Sequence, residues 1–264
     1  MPYSWQPDDL PKPASLPEDW PHAVLHERVE SALYALSAMF HSDLRIVGVA
    51  ATDLHTLASS LGASIELQTV FALNQLRHLW DPDARYATYR FVRQSQQFPD
   101  VILKCDDPAC RERIIMGIEL KGWYVLAKES EPTFRFKTTP AVCQPQDLLV
   151  VVPWALGDVV SGSPVLFEPW IVAAHFAAEW RNWFWRNKMA GAIVDRGIRL
   201  SEVSVAYPDK AAPISDQPNS DSGSNFGRLA RYEIMDDFTE KIAVEPLLGI
   251  PVGEWRRFLT RFKD

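Results

Sequence analysis

Two carboxylates and one amine are spaced to meet. Pro99-Asp100 opens the apolar run Val101-Ile102-Leu103, and a second run, Ile114 to Leu120, closes on Glu119-Leu120-Lys121. Residues two apart in a strand share a face, so Glu119 and Lys121 project together. If the two runs pair across the turn Asp106-Asp107-Pro108, Asp100 stands opposite them at one end of a hairpin. Two carboxylates and the Leu120 carbonyl are hard oxygen donors that suit Mg2+, with water and a phosphate in the remaining positions. Such an ion polarises a phosphodiester, lowers the pKa of a bound water and stabilises the leaving oxygen. Lys121 then neutralises charge and orients the attacking water. To act as a base its pKa would have to fall several units from about 10.4, and neighbouring carboxylates push it the other way.

Neither short motif is specific alone. Pro-Asp also occurs at Pro7, Pro82 and Pro208, but only Asp100 heads an apolar strand followed by one ending in Glu-x-Lys. The plainer alternative is a salt-bridged hairpin end, worth under about 1 kcal/mol per pair. Glu66, in line with Val70 and Leu73 on a preceding helix, is a further candidate metal ligand. Its other reading is a first-turn acid favoured by the helix dipole by about 0.3–1 kcal/mol.

Several elements must position these groups. Residues 1–21 hold six prolines and read as an extended arm. Leu25, Val29, Leu33, Leu36 and Phe40 recur at helical spacing, which predicts a helix over 22–41. A short helix is expected from a cap at Thr52 or Asp53 to a stop at Gly62, and a third from Ser64 to the turn Asp81-Pro82-Asp83. Arg85 to Arg93 alternates as a strand. Leu148 to Val152 is an apolar run expected of a strand buried on both faces. A helix is expected from Glu168-Pro169-Trp170 to about Lys188, with His175, Glu179, Asn182 and Arg186 as its polar stripe, then a strand over 198–206. His175, like the other five histidines, has no partner pattern. Residues 207–225 read as a mobile loop, and Trp255, Phe258, Leu259 and Phe262 as a last amphipathic helix. The order predicts an α/β domain around a central mixed β-sheet flanked by helices. Its parts are an arm and helices over 1–61, a core over 62–205, and a loop and helix over 206–264 within the same globule.

Pro99-Asp100, the gap, and Glu119-Leu120-Lys121 on adjacent strands resemble the PD-(D/E)XK nuclease superfamily, and within it the type II restriction endonucleases. The helix with Glu66 and the strand 148–152 followed by a helix extend the resemblance over about residues 62–205. It implies a restriction-endonuclease-like core, Mg2+-dependent DNA cleavage with Mn2+ as substitute, and a homodimer cutting both strands. The catalytic residues would be Asp100, Glu119 and Lys121, and the metal ligands Asp100, Glu119, Leu120 and Glu66. The expectation is a sequence-specific double-strand endonuclease of a restriction or related defence system. The alternatives are a structure- or modification-dependent nuclease, or an inactive nucleic-acid-binding module of the same fold. Residues 122–144 depart from the pattern: Pro132, Pro140 and the alternation Thr133-Phe134-Arg135-Phe136 suggest strand where the superfamily has a crossover helix.

The net charge of −7 is unusual for a DNA partner, because phosphate contacts require Lys and Arg. The distribution is uneven. Arg181, Arg186, Lys188, Arg196 and Arg199 face only Asp195 over 181–199. Arg181, Asn182, Arg186 and Lys188 are therefore the candidate DNA-binding residues, since Arg and Asn read guanine and adenine edges bidentately. Trp170, Trp180, Trp183 and Trp185 crowd the same helix, as core, as dimer interface or as a pocket for a flipped base. Cys105, Cys110 and Cys143 cannot pair fully, which fits free thiols in a reducing cytoplasm or part of a zinc site. No run of about 20 apolar residues is present to span a membrane, and the N-terminus lacks a signal-peptide pattern, so a cytoplasmic protein is expected.

Overall fold

The computed structural model describes residues 10–48, 54–127, 129–189 and 195–261. The expected cap at Thr52 or Asp53 and residue Phe262 lie outside them. Leu25, Val29, Ala32, Leu33 and Leu36 bury one stripe of helix α1 (Ala23–Met39), as the spacing predicts. That stripe faces the core. Helix α2 (Leu54–Gln75) runs straight through Gly62 where a stop was expected, and α3 (Arg77–Trp80) follows. The reason is packing. A Cβ on Gly122 would stand 3.3 Å from the Gly62 Cα, so two bare backbones meet here. Gly62 serves a close approach instead of a helix cap.

The sheet is mixed and curled. Strands β1 (Tyr89–Arg93), β2 (Val101–Cys105) and β3 (Ile114–Tyr124) form an antiparallel meander, and β4 (Leu148–Leu156) lies parallel to β3. Strand β4 is buried along its whole length, as its unbroken apolar run demands. Two short strands, β5 (Pro164–Leu166) and β6 (Trp170–Ala173), pair antiparallel with successive halves of its other edge. Pro153 falls where β4 changes from one partner to the other. Its carbonyl accepts from Phe167 N on that edge, so its missing N–H faces the gap between them.

Helix α4 (Ala174–Asn187) begins later than expected, because Trp170 to Ala173 is strand. The β-branched pair Ile171-Val172 satisfies its backbone against β4. Among its described residues the β3–β4 connection contains no α-helix. It also lacks the expected strand, forming only a 3-10 turn at Pro140–Val142 and one bridge between Thr138 and Ser215.

Beyond α4, the expected strand over 198–206 shrinks to β7 (Ile198–Arg199), paired with β8 (Gln217–Pro218). The segment 207–225 is anchored, not loose. Asp216 is fully buried, and Tyr207 donates its hydroxyl to Asp147 at 3.1 Å. Helix α5 (Asp236–Val244), which the sequence reading missed, packs on α6 (Val252–Thr260) across the hairpin β9 (Pro246–Leu247) and β10 (Ile250–Pro251). One continuous core joins α1, α2 and the sheet to α5. Among the described residues no helix is long and apolar enough to cross a membrane.

Candidate active site

The expected hairpin forms, and its register decides the site. Val101 pairs with Ile118, so β2 begins one residue after Asp100 while β3 runs on through Glu119, Leu120 and Lys121. That stretch of β3 has no ladder partner on this edge, and the Asp100 side chain takes the place of one. Its Oδ2 accepts the Leu120 N–H at 3.1 Å and the Lys121 Nζ at 3.2 Å. In return the Asp100 N–H donates to Glu119 Oε2 at 3.2 Å. Lys121 Nζ also meets Glu119 Oε1 at 2.8 Å. A strand residue's N–H and C=O leave on the same side, so the Leu120 carbonyl faces this edge too.

The main chain around Asp100 is held on two sides by residues that sequence reasoning missed. Gln94, just past β1, donates its backbone N–H to Asp100 O at 2.6 Å and its Nε2 to Pro99 O at 2.9 Å. Pro99 lies against Gly117 of β3, where an added Cβ would stand 2.2 Å from Pro99 Cγ. The buried Asp147 accepts the Gly117 N–H at 2.7 Å and the Gln144 N–H at 2.9 Å. The longest of these contacts join residues 18 and 30 apart in the chain, and no short motif announces them.

Helix α2 supplies the third carboxylate. Gly62 and Glu66 lie one turn apart, so the close approach at Gly62 carries Glu66 onto β3. There its Oε1 accepts the Gly122 N–H at 3.3 Å. Of its two readings, the inward one describes its position.

The electrostatics follow from the packing. Burial pushes the Glu119 carboxyl up to about 7, although Lys121 opposes the shift. Burial also raises Glu66, against the pull of Lys121 and with a further push from Asp100. For Lys121 burial alone would lower the pKa, but Glu119 and Asp100 outweigh it and hold the amine above its usual value. Lys121 is an ammonium here, suited to orient and to neutralise. The Lys121, Asp100 and Glu119 side chains are 21%, 28% and 11% exposed, so the cluster opens to solvent mainly at Asp100.

The donor set suits a divalent cation chemically. Asp100, Glu119, Glu66 and the Leu120 carbonyl are hard oxygen ligands of the kind Mg2+ takes. Their arrangement centres on the Lys121 amine. Among the described residues no group of three or more His, Cys, Asp or Glu side chains already stands in a cation-binding cluster.

The candidate DNA-binding residues divide. Arg181 and Asn182 are buried, at 0% and 2% exposure. The Arg181 guanidinium donates to Phe136 O and Thr138 O, both at 2.9 Å, and to Asn182 Oδ1 and Asp216. Asn182 Nδ2 donates to Asp216 at 3.0 Å. This satisfied network ties α4 to the 138 and 216 segments, so the two residues that looked like base readers are internal ties. Lys188 at the end of α4 is exposed and Arg186 is half-buried. The tryptophans divide as well. Trp185 is buried against Phe226, Trp180 donates to Tyr232 O at 2.7 Å, and Trp170 lies in β6. His175 Nδ1 lies 3.5 Å from Glu179 Oε2, one turn along α4.

The cysteines are not all free. Cys105 and Cys110 form a disulfide across the β2–β3 turn, and Cys143 is a separate buried thiol whose pKa burial pushes well up. The sulfurs at 105 and 110 are therefore committed to each other, and the zinc reading falls. Comparison of the chain with family models, curated proteins and solved structures finds no match.

Proposed function

We propose that this chain is a Mg2+-dependent DNA endonuclease of the PD-(D/E)XK type. The observation that carries the reading is the convergence of Asp100, Glu119, Lys121 and Glu66 on the end of β3 that β2 leaves unpaired. The α2–β1–β2–β3–β4 order, with its antiparallel meander and parallel fourth strand, supports a restriction-endonuclease-like core. The β3–β4 connection, without an α-helix among its described residues, is this chain's own variation.

Hydrolysis adds water across one P–O bond of a phosphodiester. Asp100, Glu119, Glu66 and the Leu120 carbonyl would hold the ion, which would supply positive charge to the phosphate and acidity to water (Mn2+ should substitute). Lys121, kept as an ammonium, orients the attacking water and offsets the charge that grows on phosphate. Gln94 and Gly117 keep Asp100 in place while that happens. Double-strand, sequence-specific cleavage in a defence system is the proposed setting. A two-fold homodimer would bring one such site to each strand, and sedimentation showing a monomer both free and on DNA would remove the dimer.

The test is direct. Purified protein with plasmid DNA and Mg2+ should give discrete fragments, and a chelator should stop the reaction. Intact plasmid across Mg2+, Mn2+ and varied sequence would overturn the proposal.

A further inference from the structure

The cluster carries three carboxylates, and its one amine is already committed to Asp100 and Glu119. A phosphate approaching this edge therefore needs a further cation. Strand β1 places one there. Phe91 is buried on the face covered by α2, with its ring against Trp80 and its backbone held in both directions by Asn74. Arg93 lies two residues on and shares that face. It is also the last residue of β1, paired with Val101, one residue from Asp100. The neighbouring Gln94 N–H donates to Asp100 O. From the other side α2 brings Glu66 to the same corner through Gly122, and the charges acting on Glu66 include that of Arg93. Arg93 is exposed and forms no ion pair among the described residues.

We propose that Arg93 is the phosphate anchor of this site, gripping a backbone phosphate of the DNA strand beside the one to be cut. Its planar guanidinium presents paired N–H donors that match two phosphate oxygens, a geometry an ammonium lacks. The inference rests on the endonuclease reading for its ligand, and on the β1–α2 corner for its residue. Arg93 differs from Arg181 in kind: it is exposed at the end of β1, on the sheet face covered by the helix that carries Glu66, whereas Arg181 is internal.

The experiment is equilibrium binding of a fluorescein-labelled duplex in Ca2+, followed by anisotropy from 50 to 200 mM salt. Arg93→Ala should weaken binding about tenfold and reduce the slope of log affinity against log salt by about 1. Arg93→Lys should restore the slope but only part of the affinity. Arg257→Ala, at an exposed arginine of helix α6 already paired with Glu254, should change neither. Because Arg93 is exposed, all variants should keep the wild-type circular dichroism spectrum. Wild-type affinity and slope in Arg93→Ala overturn the anchor, as does a wild-type protein that does not bind duplex. Cleavage is scored separately in Mg2+. Binding that depends on Arg93 without cleavage would keep the anchor and sink the nuclease reading, and cleavage unaffected by Arg93→Ala would do the reverse.

Discussion

Asp100 shows how much a single side chain depends on residues far from it. Its carboxylate replaces a missing strand partner for Leu120, and its backbone stays in position because Gly117 leaves room for the Pro99 ring. Gly117→Ala puts a carbon 2.2 Å from Pro99 Cγ, and the proline ring cannot swing aside like a flexible chain. The expected result is a loss of roughly 1–3 kcal/mol in urea unfolding and a fall in cleavage far larger than that loss explains. Wild-type cleavage in this variant would mean that Pro99 does not position Asp100. Arg181 makes the opposite case. The sequence offers it as a base reader, yet it is enclosed with Asp216. Arg181→Ala should cost about 3–5 kcal/mol of stability, since it strands a buried carboxylate, and calorimetry checks this. Asp100, Glu119 and Lys121 were legible because strand periodicity alone aligns them. Gln94, Gly117 and Asp147 were not, because their roles exist only in contacts across the fold. Arg181 misled because a helical stripe does not say which polar residue will find a buried partner.

Elements were legible where one period ran long enough. Helix α1, the β2–β3 hairpin and the buried β4 all follow from their apolar spacing. The reading failed where a short segment answered to its neighbours: Trp170–Ala173 pairs with β4 although it precedes a helix without a break, and α5 has only nine residues. It failed differently at Gly62, whose role is set by Gly122 about 60 residues later. The two glycines should respond unequally to the same change. A Cβ on Gly62 meets nothing within 4 Å, so Gly62→Ala should hold or raise stability, by up to about 1 kcal/mol of helix propensity. Gly122→Ala meets the Gly62 backbone at 3.3 Å, pushes α2 outward and draws Glu66 from β3. Thermal unfolding and cleavage of the pair check this, and equal responses would contradict the α2–β3 approach as the device that positions Glu66.

For the whole molecule, stability should carry the mark of its buried acid. Burial pushes Asp147 from 3.8 up to about 6, against the pull of the Gln144, Gly117 and Tyr207 donors. A carboxyl whose folded pKa is raised binds its proton more tightly when folded, so its contribution falls as pH rises from about 4 to 6 and is level above. The stability of wild type minus that of Asp147→Asn, from urea midpoints, should therefore shrink over that window by about 2–3 kcal/mol. A difference that stays constant would place the folded pKa near its ordinary value. The acidic chain was legible as a caution against DNA, and the buried Arg181 sharpens it by removing one apparent DNA contact. The carboxylate edge with Arg93 beside it is the surface proposed to meet a phosphate. The central claim is that this edge cuts DNA, and the most direct measurement is the Mg2+-dependent cleavage rate of plasmid by wild type and Glu119→Ala, with folding verified by circular dichroism. The account predicts a rate lower by orders of magnitude in the folded variant. Equal rates in the two proteins would contradict it.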